Sequence, residues 1–284
     1  MPYVDDLYHV YIVPDRWGVS VDYLRITHQR RGNSQFIERL PQWIEYLQTL
    51  GYEKTAYQIS TMKGWLLGKL AYIRSDTHEA VELRGEMADR WHVHYLHQTC
   101  KATRIDLALT VWLSEEDASL ARALYYPAVA FYERQGKAAG RRPPVLYMSE
   151  AGDTLYLGSR TSRRYFRLYN KERQSGDAYY KNAWRFEVEC KGDLAQVIWE
   201  RLQARESVLS VGLDEVVGSL KAYNIVLPAP FDEGVLTKVA QPKHNKSIDA
   251  KLAWLTRQVR PTVKELSAKG YLAEVLEALD LHYE

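Results

Sequence analysis

Asp106, Tyr169 and Glu187 are the residues best set to do chemistry, because each occupies the polar side of a strongly alternating segment. In ATRIDLALTVWL, Arg104, Asp106, Ala108 and Thr110 fall on one face and Ile105, Leu107, Leu109 and Val111 on the other. In WRFEVECK, Arg185, Glu187, Glu189 and Lys191 lie opposite Trp184, Phe186, Val188 and Cys190. Same-face neighbours on a strand sit about 7 Å apart, close enough to share a metal or a phosphate. Asp106 and Glu187 on adjacent strands are therefore a candidate oxygen-ligand pair for Mg2+ or Mn2+. Pairing of each acid with Arg104 or Arg185 is the competing reading, and spacing does not choose between the two. Tyr169, in RLYNK, shares a strand face with Tyr165, Arg167 and Lys171. A phenol with a pKa of about 10 is a poor nucleophile at neutral pH. Adjacent cations and a metal-polarised phosphate make it competent, whereas half-packing on a sheet is the commoner fate of a tyrosine.

The cations are concentrated rather than spread. Arg160, Arg163, Arg164 and Arg167 fall within one short stretch, with Arg141 and Arg142 just upstream, on a chain whose net charge is only +2. Clustering on a balanced background points to one anionic binding site, not to a generally sticky surface. The 21 Tyr and 8 Trp supply the aromatic faces that base stacking needs, although most serve packing. Tyr179 and Tyr180 fall in a loop and show no usable pattern. His92-Val93-His94 would ligate a metal from a strand, but GEMADRWHVHYLHQT reads as a helix, where residues two apart diverge. Cys100 and Cys190 support neither a disulfide framework nor a zinc site. Gly-rich phosphate loops and Ser/His/Asp elbows are missing from the sequence.

Positioning these side chains requires a sheet. Thr154–Ser159, Arg164–Lys171 and the segment ending at Lys191 read as three consecutive strands, with ATRIDLALTVWL as a further one. Upstream, 19–27, 57–60, 69–75 and 80–83 read as a strand and an antiparallel meander. Ser34 is placed to cap a helix carrying Phe36, Ile37, Leu40, Ile44 and Leu47, with Pro41 turning or kinking it. A second helix opens at the Ser114-Glu115-Glu116-Asp117 cap and meets Pro127, and Asp193 can cap a third. Beyond about Ser207 the pattern becomes helical around 214–220, 247–259 and 261–281. The expected class is α+β, a mostly antiparallel sheet flanked by helices. Its domains would be a catalytic 1–206 and a mainly helical 207–284 packed on it or following it. The N-terminus has no signal-peptide core and no apolar run is long enough to span a membrane, so a cytoplasmic location is expected.

TRIDLAL, TLYLGSRTSRRYFRLYNKERQ and WRFEVECKGDLA together resemble the replication initiation factor family. VDYLRIT, VELRGEMADRW and LAWLTRQVRPTVKEL extend the resemblance over roughly Val21 to Leu266. The family comprises rolling-circle plasmid initiators, relaxases of some integrative conjugative elements and filamentous-phage replication proteins. The resemblance implies a sheet-based nickase fold that cuts one DNA strand at an origin and retains the 5′ phosphate on tyrosine. It implies Tyr169 as nucleophile, Asp106 and Glu187 as ligands of a divalent metal, and Arg160 and Lys191 as supports for phosphate charge. Arg163, Arg164 and Arg167 would contact DNA. The implied partner is origin DNA, double-stranded and cleaved as a single strand. A host helicase and a second copy of the chain are further candidates, and no nucleotide cofactor is needed. A conjugative relaxase and a non-catalytic origin-binding regulator are the alternative functions. One departure is Thr110, where the family strand often carries a second Asp; if that acid helps the metal, either affinity is weaker here or Glu189 or Glu82 substitutes.

Overall fold

The period-two alternation of β-branched and aromatic residues gives the central strands one apolar face, and hydrogen bonding side by side merges these faces into one apolar wall. In the computed structural model the residues described are 8–9, 14–29, 38–96, 99–113, 120–150, 152–227 and 260–271, with a few positions between 231 and 274. The elements in the first half are β1 (Tyr8–His9), β2 (Pro14–Gln29), α1 (Leu40–Thr49), β3 (Lys54–Ile59), β4 (Met62–Leu67), β5 (Leu70–Arg74), β6 (His78–Arg84), α2 (Glu86–Trp91) and β7 (Lys101–Leu113). There follow α3 (Leu120–Phe131), β8 (Val145–Tyr147), β9 (Thr154–Gly158), β10 (Arg164–Asn170), α4 (Lys171–Ser175) and β11 (Ala183–Lys191). The chain continues with α5 (Asp193–Gln203), α6 (Val208–Lys221), β12 (Ile225–Val226) and α7 (Arg260–Ala268). Ten strands form one antiparallel sheet in the order β3-β4-β5-β6-β2-β7-β11-β10-β9-β8, and β1 pairs in parallel with β12. This is the expected α+β class.

The dry face of the central strands meets the helices. Ile105, Leu107, Leu109, Val111, Trp184, Phe186, Val188 and Cys190 form one core with Leu194, Ile198, Trp199 and Leu202 of α5 and Val211, Val216, Val217 and Leu220 of α6. The opposite face of the same strands carries the charged residues. Clustering of contacts divides the chain into two compact units, Met1–Val239 and Ala240–Glu284. The first holds the sheet and α1 to α6, and in the second α7 is described. Among the described residues no helix is long and apolar enough to cross a membrane.

Local chemistry explains the differences from the sequence reading. Pro41 lies in the first turn of α1, where its missing N–H costs nothing, so it starts the helix instead of kinking it. Ser34, Phe36, Ile37 and the Ser114 cap lie outside the described residues. Gly64 breaks the pattern of β4, a strand absent from that reading; a Cβ there would meet the Tyr72 carbonyl oxygen of β5. The helix at 85 gives way to a 3-10 turn at His92–Tyr95, with His92 buried and bonded to the Ala88 carbonyl. Gly192, with φ +58°, is the N-cap of α5, and Asp193 sits in its first turn. Residue 171 leaves β10 because Asn170 caps α4, its side chain accepting from the Arg173 N–H at 2.9 Å.

Candidate active site

The strand order β7-β11-β10 places the sequence candidates in rows across the polar face. Asp106 stands opposite Glu189, Glu187 opposite Arg167, and Arg185 opposite Tyr169. Small residues floor the next positions: Ala108 opposes both Glu187 and Ser20, and Gly18 opposes Thr110. Only 1% of Asp106 and 3% of Glu187 is exposed. Buried charges must be paired, and these are.

Arg104 binds Asp106 in a two-pronged fashion, Nε to Oδ1 at 2.8 Å and Nη2 to Oδ2 at 2.6 Å. It also reaches Glu189 at 2.9 Å and lies 4.1 Å over the Tyr23 ring. Arg167 Nη2 bridges the acids, donating to Glu187 Oε1 and to Asp106 Oδ2, the latter at 3.4 Å. The Tyr169 hydroxyl donates to Glu187 Oε2 at 3.0 Å. Arg185 donates to Thr110 Oγ1 at 3.0 Å and to Asp22 Oδ1 at 2.6 Å. One buried donor is left over: Arg167 Nε has no partner among the described residues.

Burial raises the Tyr169 phenol well above the ordinary tyrosine range, and the Glu187 charge adds to this while Arg185 opposes it. Burial likewise raises the Asp106 carboxyl, against Arg104, with repulsion from Glu187 and Glu189 on the same side. Lys171, 5.8 Å from the Tyr169 ring centroid, is pushed below the lysine range by burial and then by Arg185.

The expected metal site can be tested on these contacts. Each of the four oxygens of Asp106 and Glu187 already accepts from a protein donor, and a guanidinium stands between them. Among the described residues no group of three His, Cys, Asp or Glu side chains is arranged to hold an ion. The donors have the hard-oxygen chemistry of a magnesium site, but the arrangement does not fit one while Arg167 occupies the gap. Glu189 pairs with Arg104 and Lys191, and Glu82 pairs with Arg25 and Arg84. Thr110 serves Arg185 instead of an ion.

The structure thus brings together Tyr169, Glu187, Asp106 and Arg167, and separates the others. Lys191 lies six residues along β11 from the Tyr169 partner Arg185, about 20 Å by strand rise. There it meets Glu189 at 2.5 Å and the Arg160 carbonyl oxygen, and Arg160 lies 5.6 Å from the Tyr165 ring. Arg163 is half exposed at the hairpin, 3.8 Å from Asp193. Arg164 belongs to the opposite side of β10, where it pairs at 2.8 Å with the fully buried Glu215. Sequence reasoning gave no role to Asp22, and Arg185 entered it only as a partner for Glu187. The same-face alternation of Arg185 with Glu187 was the signal available for the arginine.

No curated protein sequence matches the chain significantly. Among solved structures, the chain is similar to the rolling circle replication initiator protein from Geobacillus stearothermophilus, at 18% identity and a TM-score of 0.49, covering 78% of this chain and 93% of that one. The sequence profile described as "Replication initiation factor" matches residues 100–277, a span that holds the whole row from Asp106 through Tyr169 to Glu187. By that match over more than half its length, the chain belongs to the replication initiation factor family.

Proposed function

We propose that the chain initiates rolling-circle replication by nicking one strand of origin DNA, with Tyr169 as the nucleophile. The observation that carries this is the bond from the Tyr169 hydroxyl to Glu187 Oε2 at 3.0 Å. A phenol raised by burial is protonated at neutral pH and needs a base at the moment of attack. Glu187 is that base: as the phenol oxygen bonds to phosphorus, its proton passes to Oε2. The bond from phosphorus to the 3′ oxygen breaks, and we assign the proton that this oxygen takes up to Lys171, whose ammonium is weakened by burial. The products are a 5′-phosphotyrosine ester and a free 3′ hydroxyl, which can later attack the ester and rejoin the strand.

Arg167 holds Glu187 in place, and its guanidinium charge beside Tyr169 stabilises the phosphate charge that grows as the transition state forms. Dependence on Mg2+ or Mn2+ is proposed from the resemblance, and Asp106 and Glu187 would hold the ion only if Arg167 left the gap between them. Arg160, Arg163 and Lys191, at the far end of the sheet, are proposed as contacts to the DNA backbone.

Incubating the protein with single-stranded oligonucleotides from its own origin and separating the products under denaturing conditions tests the reading. The wild-type chain should yield a covalent adduct, and Tyr169→Phe should yield none while binding the same oligonucleotides. An adduct of normal yield in Tyr169→Phe would move the nucleophile to another tyrosine, with Tyr165 examined first. No adduct from the wild-type chain at any metal concentration would leave an origin-binding regulator.

A further inference from the structure

Beside Tyr169 on the polar face, a cavity of about 470 Å3 opens between the end of the sheet, α2 and the loop after α4. Trp112, Tyr179 and Tyr180 wall one side of it. The Trp112 and Tyr180 rings are near-parallel, at 11° and 6.3 Å between centroids, and Tyr179 meets each of them edge-on. Arg16 lies 4.1 Å over Trp112, and the Trp112 indole N–H donates to the Tyr179 carbonyl at 3.1 Å, so the cluster is fixed from two sides. Tyr179 is nonetheless 57% exposed, which is unusual for an aromatic residue serving only the core.

The remaining walls are polar and mixed in sign. Asp22, Glu86, Asp89 and Asp177 line the cavity with Lys69, Lys171 and Arg185. A surplus of carboxylates disfavours a phosphate. The acids also have acceptor capacity to spare: Asp22 Oδ1 takes Arg185 and Asp89 Oδ1 takes the Val21 N–H at 3.2 Å, while neither Oδ2 has a partner among the described residues. Aromatic faces beside free carboxylate oxygens match a flat neutral ring that carries N–H donors at its edge. A nucleobase has that chemistry, and the size of the cavity suits one. Lys171 and Arg185 border both this cavity and Tyr169, so a base held here would belong to a nucleotide next to the reacting phosphate.

We propose that this cavity takes up one unstacked DNA base bearing an exocyclic amine, flanking the phosphate attacked by Tyr169. The base packs against the aromatic cluster at its exposed ring, Tyr179, with Trp112 and Tyr180 supporting that ring, and Asp22 and Asp89 accept from its amine. Thymine, which lacks an amine, is rejected. The inference rests on the nickase reading for the position of the base, but base selection by the cavity can be measured without cleavage.

Fluorescence anisotropy of the full-length Tyr169→Phe protein with labelled dT12, and with dT12 carrying one central dG, dA or dC, reads it directly. At least one substituted oligonucleotide should bind about tenfold more tightly than dT12. If guanine is the preferred base, hypoxanthine in its place should lose most of that gain, because it lacks the amine. Tyr180→Ala should abolish the difference between the substituted oligonucleotides and dT12. Tyr179→Ala, at an exposed position, serves as the second variant should Tyr180→Ala unfold in a thermal melt. Equal affinity for all four oligonucleotides would overturn the proposal, as would a preference that survives in both folded variants. Adduct formation by the wild-type chain in the absence of any base preference would sink the cavity and spare the nickase; a base preference without any adduct would do the reverse.

Discussion

The proposed chemistry turns on Glu187, because its two oxygens serve two different partners. One is held by Arg167, and the other accepts the Tyr169 hydroxyl. A ligand role and a base role for this carboxylate make different demands. Glu187→Gln keeps the shape and an accepting oxygen but cannot take a proton. As the base, its loss should slow single-turnover adduct formation about 100-fold or more. A tenfold increase in Mg2+ or Mn2+ should not restore the rate, and oligonucleotide binding should change little. Recovery at high metal would make Glu187 a ligand in the working enzyme, with Arg167 displaced. Rate and affinity measured on one oligonucleotide across a metal titration distinguish the two.

At the scale of the element, β10 divides its arginines between two jobs. Arg167 points to the polar face, while Arg164 turns to the helix side and neutralises Glu215, which is 0% exposed. Removing one partner of a buried pair leaves an uncompensated charge, so Arg164→Ala should destabilise the chain by about 3 kcal/mol in denaturant unfolding. Arg163→Ala, at a half-exposed position, should leave stability unchanged. It should instead flatten the slope of log affinity against log salt for single-stranded DNA by about 0.7. The reverse assignment, a stable Arg164→Ala with a flattened slope, would return Arg164 to the DNA. The alternation of β7 and β11 made Asp106 and Glu187 legible as same-face residues from the sequence, and the aromatic-cationic run of β10 did so for Tyr169. What could not be read was the place of β2 beside β7. The Arg167 bridge and the Arg185–Asp22 pair depend on the order β2-β7-β11-β10, in which β2 and β7 are joined across more than seventy residues. Tyr179 and Tyr180 looked patternless for the same reason, since their partner Trp112 belongs to a distant strand.

At the scale of the molecule, the composition shift near residue 206 and the physical edge of the fold do not coincide. The helical character that begins there includes α6, whose Val211, Val216, Val217 and Leu220 are all fully buried in the core shared with β7 and β11. Burying such side chains contributes roughly 1.5–3 kcal/mol each. Their sum rivals the whole stability of an ordinary domain, about 5–15 kcal/mol. α6 also supplies Glu215 to Arg164, tying the helix to the strand that carries Tyr169. A chain ending at residue 206 should therefore fail to fold: it should show no cooperative thermal transition and form no adduct. A chain ending at residue 239 retains the sheet, α1 to α6 and every residue proposed for the site. It should melt cooperatively and form the Tyr169 adduct on single-stranded origin oligonucleotides at a single-turnover rate within a few-fold of the full chain. Circular-dichroism melts paired with denaturing gels on the two truncations read both outcomes. A folded, adduct-forming 1–206 chain would show that the sheet holds its catalytic face without the apolar support of α6. A folded 1–239 chain that binds the oligonucleotide but forms no adduct would assign part of the chemistry to residues 240–284.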